Sequence, residues 1–242
     1  MHDRVMTVDL RGVTTVLLPG TGSDDDFAYR AFAPALHGAA AVVVTPRPQP
    51  HRLVAGYREA LDEAAAAGPV AVGGVSIGAA VAVDWALANP GAVVAVLAAL
   101  PAWTGSPATA PAAMTARYSA QVLRRDGLVA ATTQMRASSP RWLGDELSRS
   151  WVAQWPDLPD AMEEAAGYVA PTCDELEALA APMGVASAVN DPVHPLDVGM
   201  EWVSAAPCAA LRTVTLDQMG ADPAVLGAAC LAALAEASGR EP

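Results

Sequence analysis

Short runs of apolar, often β-branched residues alternate along the chain with longer alanine-rich stretches. The runs are apolar throughout instead of alternating with polar residues, which is typical of strands that are buried on both faces in a parallel sheet. Six runs predict strands, at 13–18, 40–45, 69–74, 92–98, 183–189 and 211–216.

The stretches between these runs have the start and stop signals of helices. Residues 24–38 begin with acidic residues and end at a glycine, and residues 52–68 also end at a glycine. Further helices are predicted after Ser76, over residues 194–207, and over the last stretch, where Asp222 is the expected N-cap and Pro223 the first helical residue. Strand and helix in repeated alternation predict a doubly wound α/β fold with a mostly parallel sheet.

One connection is much longer than the others. Between the fourth and fifth strands, three helical stretches are separated by Gly, Pro and Ser residues. We therefore expect a single domain over residues 1–242 with a helical cap insertion at about 104–180. This segment carries Trp142, Trp151 and Trp155, of which the last two are one helical turn apart.

Charge and composition exclude several classes of function. The net charge of −12 opposes binding to nucleic acids and to anionic membranes. All 14 basic residues are Arg, so a Schiff-base lysine, a Walker A lysine and a Ser-Lys dyad are excluded. A small molecule is the expected partner.

The chain also lacks the sequence features of secretion and of metal or cofactor binding. The first residues contain no apolar signal segment, and the longest apolar run, which begins at Ala92, is too short to span a bilayer. Cys173, Cys208 and Cys230 are widely spaced and odd in number, which predicts reduced thiols. We expect a soluble cytoplasmic protein without cofactor or metal.

The sequence Gly74-Val75-Ser76-Ile77-Gly78 matches the pattern GxSxG. It follows a predicted strand and precedes a predicted helix, which is the order that a nucleophile elbow requires. Ser76 is therefore a candidate nucleophile. The alternative is a tight turn whose serine caps the following helix.

An acyl-transfer enzyme also needs hydrogen-bond donors for the developing oxyanion. The backbone N–H groups of Ile77 and Thr21 are the candidates, because the first follows Ser76 and the second lies between two glycines after the first strand. A phosphate-binding loop is the competing interpretation of Gly20-Thr21-Gly22, but the further glycine of a dinucleotide fingerprint is missing.

These features resemble those of the α/β-hydrolase fold serine hydrolases over nearly the whole chain. The resemblance rests on residues 19–22 (PGTG), residues 74–78, the helical insertion, and residues 190–195 (NDPVHP). It implies a triad in the order Ser, acid, His, with Asp191 as the acid. A turn-initiating role for Asp191 before Pro192 is the alternative.

The resemblance places the histidine shortly after the last strand, where this chain has Ala221. Of the four histidines, His194 is the best remaining candidate for the base, and the others are His2, His37 and His51. We expect His194 mainly to support the loop that carries Asp191, and a gap or water to separate Ser76 from Asp191.

The predicted function is that of a serine hydrolase with an atypical or impaired base and an incomplete triad. Its substrate would be an ester, thioester or lactone with a small apolar acyl group. A non-hydrolytic enzyme of the cyclase, lyase or decarboxylase type and a noncatalytic binding protein remain alternatives. Candidate substrate contacts are aromatic residues that core packing would explain equally well, namely Trp103, Trp142, Trp151 and Trp155.

Overall fold

The computed structural model describes residues 8–239, so His2 and most of the segment searched for a secretion signal lie outside the described residues. The described residues contain a six-stranded parallel sheet with the order β2-β1-β3-β4-β5-β6. The strands are β1 (Thr14–Leu18), β2 (Val42–Val44), β3 (Val70–Val75), β4 (Val93–Ala99), β5 (Met183–Ala188) and β6 (Ala209–Val214).

All six predicted strands form, but two of them are not buried on both faces as expected. Val42 in β2 is 51% exposed, and Arg212 and Thr213 in β6 are also exposed. The reason is that β2 and β6 are the two edges of the sheet, where each strand has one neighbour and incomplete helix cover.

Helices cover the sheet on both sides. They are α1 (Asp25–Gly38), α2 (Leu53–Ala65, after a short 3-10 helix at Pro50–Arg52), α3 (Ile77–Ala88), α8 (Leu196–Ala205), α9 (Leu216–Ala221) and α10 (Ala224–Ala237). Helices α1 and α10 pack against each other on one face, while α2, α3 and α8 cover the other. Two apolar cores result, one on each side of the sheet.

Helix α9 was not predicted, because residues 211–216 were assigned to a strand and the next helix was expected only from Asp222. Thr215 instead begins a helix. Its side chain accepts a hydrogen bond from the backbone of Gln218, and the Gln218 side chain accepts one from the backbone of Thr215. This capping box satisfies two free N–H groups of the first turn.

The segment between β4 and β5 contains four helices, namely α4 (Pro111–Ser138), α5 (Arg141–Gln154), α6 (Leu158–Gly167) and α7 (Cys173–Leu176). Gly127, with φ 81° and ψ 174°, breaks α4 into two arms. Helix α4 packs on α5 and α6, and α6 packs on α2 and on the 3-10 helix. None of the helices within residues 8–239 combines the length and apolar character needed to cross a membrane.

The sheet order reverses at one point, between β1 and β3. The chain runs from β1 outward to β2 and then returns to the other side of β1 to form β3. Loops that leave the carboxyl ends of two such strands diverge and leave a crevice between them, which is where ligands bind in open α/β sheets. The residues after β1 and Ser76 after β3 border this crevice.

Candidate active site

Ser76 lies in a sharp turn between β3 and α3. Its backbone has φ 56° and ψ −117°, and its N–H donates to the carbonyl oxygen of Ala99 at 2.9 Å. The turn fits closely against β1, because a Cβ atom on Gly74 or Gly78 would lie 2.4 Å or 2.2 Å from the carbonyl oxygen of Leu18. Glycine at these two positions allows the strained turn to form.

The Ser76 side chain is directed away from the helix that it precedes. It makes no capping hydrogen bond to α3, so the interpretation of Ser76 as a helix-capping residue finds no support. Its Oγ atom instead lies 3.0 Å from Nε2 of His194.

The His194 ring is oriented by Asp191, three residues earlier in the same loop. Nδ1 of His194 lies 2.7 Å from Oδ2 of Asp191. An ionised carboxylate only accepts hydrogen bonds, so Nδ1 carries a proton, and in a neutral ring the lone pair of Nε2 faces the Ser76 hydroxyl. The three side chains form one continuous hydrogen-bonded chain.

Asp191 is held in place by its own loop as well as by His194. Its Oδ1 atom accepts hydrogen bonds from the backbone N–H groups of Val193, at 2.8 Å, and of His194, at 3.3 Å. Burial acts to raise the pKa of Asp191, but the hydrogen bonds from His194 and the backbone outweigh it and leave the pKa below its ordinary value. Asp191 is therefore ionised at neutral pH.

The arrangement corrects the expected gap between Ser76 and Asp191. The His194 imidazole fills that space and contacts both residues, so its contacts extend beyond support of the loop. Ala221 is exposed at the end of α9.

The two candidate oxyanion donors are the N–H of Ile77, which follows Ser76 directly, and the N–H of Thr21, a residue that borders the same cavity as Ser76. Within the described part of the chain, neither the N–H of Thr21 nor that of Ile77 has a hydrogen-bond partner. Ile77 is the first residue of α3, where backbone N–H groups point out of the helix and carry partial positive charge. Thr21 borders the cavity above Ser76.

The loop after β1, residues 19–24, is held in place by hydrogen bonds to its backbone carbonyl groups. The buried Tyr57 hydroxyl donates to the carbonyl oxygen of Pro19 at 3.0 Å, and the N–H of Ser23 donates to the carbonyl oxygen of Gly20 at 3.0 Å. Burial raises the pKa of Tyr57 well above its ordinary value, which keeps the hydroxyl protonated as a donor.

A cavity of about 270 Å³ lies over Ser76, His194 and Asp191. Its walls come from the loop after β1 and from α1, α4, α5, α6 and α9. Most of the lining is apolar, and its aromatic side chains are those of Phe27, Tyr118, Trp142 and Trp151. No arginine of residues 8–239 borders it, and no group of three or more His, Cys, Asp or Glu residues in that range could hold a metal ion.

No protein-family model matches this chain, and no curated protein matches its sequence. Solved structures do match. They include a carboxylesterase from Nitrososphaera gargenis (TM-score 0.70, 16% identity, 86% of this chain and 83% of that one) and a hydrolase from Oleispira antarctica (0.66, 15%, 88% and 88%). An enol-lactonase from Burkholderia xenovorans also matches (0.63, 18%, 86% and 84%). The chain has the α/β-hydrolase fold.

The histidine that contacts Ser76 lies at a different point of the chain from the one that the resemblance in sequence implied. The resemblance in sequence implied a histidine after β6, whereas the ring that contacts Ser76 comes from the loop after β5. The spacing Asp191-Pro-Val-His194 was the available signal, but it does not tell which way the ring points.

The structure separates the four candidate tryptophans into two pairs. Trp142 and Trp151 border the cavity. Trp103 does not border it and donates its indole N–H to the carbonyl oxygen of Tyr168 at 3.2 Å, and Trp155 is 40% exposed and also lies outside the lining. Trp103 and Trp155 thus lie outside the lining of the cavity over Ser76.

Proposed function

We propose that this protein is a serine hydrolase in which Ser76 is the nucleophile, His194 the general base and Asp191 the residue that orients the base. The observation that carries the proposal is the position of the His194 ring, 3.0 Å from Ser76 Oγ and 2.7 Å from Asp191 Oδ2. This is the geometry that the Ser-His-Asp mechanism requires.

In the first half of the reaction, Ser76 Oγ attacks the carbonyl carbon and its proton passes to His194 Nε2. The tetrahedral oxyanion accepts hydrogen bonds from the N–H groups of Thr21 and Ile77. When the carbon–oxygen or carbon–sulfur bond breaks, His194 returns the proton to the leaving group, and an acyl-serine remains.

In the second half, a water molecule loses a proton to His194 and attacks the acyl-serine. The ester bond to Ser76 breaks, and His194 gives the proton to the serine oxygen. Asp191 stays ionised throughout and stabilises the imidazolium in each half.

The substrate that the cavity suits is a neutral ester, thioester or lactone with a small apolar acyl group. Trp142 and Trp151 supply flat apolar surfaces to such a group. Glu146, which also borders the cavity, is bonded to Arg30 at 2.6 Å and to Arg149 at 3.1 Å. A carboxylate on the substrate would thus meet no unpaired cation at this lining.

The solved structures that share the fold support hydrolytic chemistry. A carboxylesterase and an enol-lactonase share the fold at 16% and 18% identity. The hydrogen-bonded side chains of Ser76, His194 and Asp191 favour hydrolysis over the cyclase, lyase and decarboxylase alternatives. Those alternative reactions do not need a serine that is activated by a base.

Labelling with a fluorophosphonate and turnover of p-nitrophenyl butyrate test the proposal. Ser76→Ala should abolish labelling, and both Ser76→Ala and His194→Gln should lower kcat/KM by about a thousand-fold or more. Ser204→Ala is the matched control, because Ser204 is an exposed serine on α8 and is not part of the cavity lining.

An unlabelled wild type without turnover would favour a non-hydrolytic or binding role. A folded His194→Gln variant that keeps most of the wild-type rate would show that another group acts as the base.

A further inference from the structure

Helix α5 contacts three consecutive residues of the loop after β1. The Trp151 indole packs on Gly22, where an added Cβ atom would lie 2.8 Å from Nε1. The Gln154 side chain donates to the carbonyl oxygen of Ser23 at 2.9 Å. Arg149 forms two hydrogen bonds to the Asp24 carboxylate, at 2.6 and 3.0 Å.

The loop side of these contacts and the Gln154 side chain are shielded from water. Gln154 and Asp24 are 9% and 7% exposed, whereas the Arg149 side chain is 47% exposed and covers the Asp24 carboxylate from the solvent side. Gln154 Nε2 also donates to the hydroxyl of the buried Ser150 at 2.8 Å, and Asp24 also accepts from the N–H of Phe27 at 3.0 Å as the N-cap of α1. Buried polar groups with fixed partners hold their geometry more strictly than exposed ones.

In the sequence of the loop, Thr21 lies between Pro19, which is held by Tyr57, and residues 22–24, which are held by α5. Tyr57 holds Pro19, α5 holds residues 22–24, and Thr21 itself borders the cavity. The direction of the Thr21 N–H thus depends on both anchors, although neither anchor contacts the reacting atoms.

We propose that Gln154 and Arg149 are positioning residues that hold the Thr21 N–H in the direction of the tetrahedral oxyanion. Helix α5 is then part of the catalytic scaffold as well as a wall of the cavity. This inference rests on the proposed function, because it assigns the Thr21 N–H to an oxyanion.

A displaced oxyanion donor weakens binding of the transition state more than binding of the substrate, since the negative charge develops only in the transition state. Loss of the α5 contacts should therefore lower kcat and leave KM nearly unchanged. Removal of a whole donor typically costs a hundred-fold or more, so a shifted donor should cost about ten-fold.

Gln154→Met tests the inference, because Met has a similar length and lacks the donor. We expect kcat for p-nitrophenyl butyrate to fall about ten-fold with KM within about two-fold, and affinity for a trifluoromethyl ketone to fall in parallel with kcat/KM. Hydrogen exchange of the amides in residues 19–24 should become faster. Val152→Ala is the control, because Val152 is on the same helix and 64% exposed.

Arg149→Gln tests the same loop from its other end and serves if Gln154→Met does not fold. Unchanged kcat and unchanged exchange in residues 19–24, or a raised KM with unchanged kcat, would overturn the inference. If the wild type neither reacts with the fluorophosphonate nor turns over esters, the proposed function fails instead. The exchange measurement still decides whether α5 holds the loop.

Discussion

Ser76 combines a strained backbone with a side chain that hydrogen-bonds His194. A non-glycine residue at φ 56° costs on the order of 1–3 kcal/mol and persists only where the surroundings over-determine it. Here the close fit against Leu18 and the hydrogen bond to Ala99 supply that restraint. At this scale, His194 is also notable because it shares a loop with the acid that orients it.

Ala221 is the last residue of α9, at the position where the resemblance implied a histidine. Ala221→His should leave kcat/KM for p-nitrophenyl butyrate within about two-fold of the wild-type value. A histidine can act as a general base only if its ring lies within hydrogen-bond distance of the proton that it removes, here the proton of the Ser76 hydroxyl. Ala221 is exposed, and His194 already fills the space between Ser76 and Asp191. The measurement is kcat/KM for the single variant and for Ala221→His in a His194→Ala background.

The double variant should be as inactive as His194→Ala alone. A ten-fold gain in the single variant, or recovery in the double variant, would mean that a residue at position 221 reaches Ser76.

At the scale of elements, the helical segment between β4 and β5 does more than cover the cavity. Helix α2 has no side-chain cap of its own. The Glu164 carboxylate of α6 caps it instead, and accepts from the N–H groups of Leu53 at 2.7 Å and Val54 at 3.1 Å. Its negative charge also lies at the positive end of the α2 dipole. The segment is thereby bound to the sheet-covering helices at both α5 and α6.

Glu164→Ala should lower the free energy of unfolding by about 1–2 kcal/mol, because it leaves two N–H groups at the start of α2 without their partner. Urea denaturation followed by circular dichroism measures the change. Glu163→Ala is the matched control on the same helix.

Glu163→Ala should lower the free energy of unfolding by less than about 0.5 kcal/mol, because the ion pair between Glu163 and Arg124 is exposed to solvent. Equal destabilisation by the two substitutions would show that the cap contributes nothing specific.

At the scale of the whole molecule, negative charge and pairing of the arginines act together. The chain has a net charge of −12 and no Lys. Arg30 and Arg149 both form ion pairs with Glu146, which borders the cavity, and Arg149 also pairs with Asp24. The negative electrostatic potential of the whole protein and the lack of an unpaired cation at the cavity lining both disfavour anionic substrates.

We expect kcat/KM for mono-p-nitrophenyl succinate to be at least about ten-fold lower than for p-nitrophenyl butyrate, which has the same acyl chain length without the carboxylate. The difference should narrow as NaCl rises from about 50 to about 500 mM, because salt screens the long-range repulsion.

The neutral ester should show little salt dependence and serves as the internal control. A succinate ester that reacts as fast as the butyrate ester at low salt would contradict a cavity selective for neutral substrates.

Much of the fold could be predicted from sequence because its signals are local. Continuous apolar runs mark the six strands, and the run of residues 74–78 marks the turn at Ser76 between strand and helix, since the glycines are needed within that turn itself. The resemblance in sequence also pointed to Asp191, which lies shortly after the carboxyl end of β5. The exposure of β2 and β6 was missed, because it depends on which strands end up at the edges.

The tertiary structure alone decided how the candidate site is completed. His194 and Ser76 are 118 positions apart, and their contact depends on the order of β3, β4 and β5 and on the turn that directs the ring, neither of which a local pattern contains. No local pattern predicts which two tryptophans border the cavity, or that α5 contacts residues 22–24. Contacts between distant segments depend on how whole elements pack, whereas the turn at Ser76 depends on the residues within it.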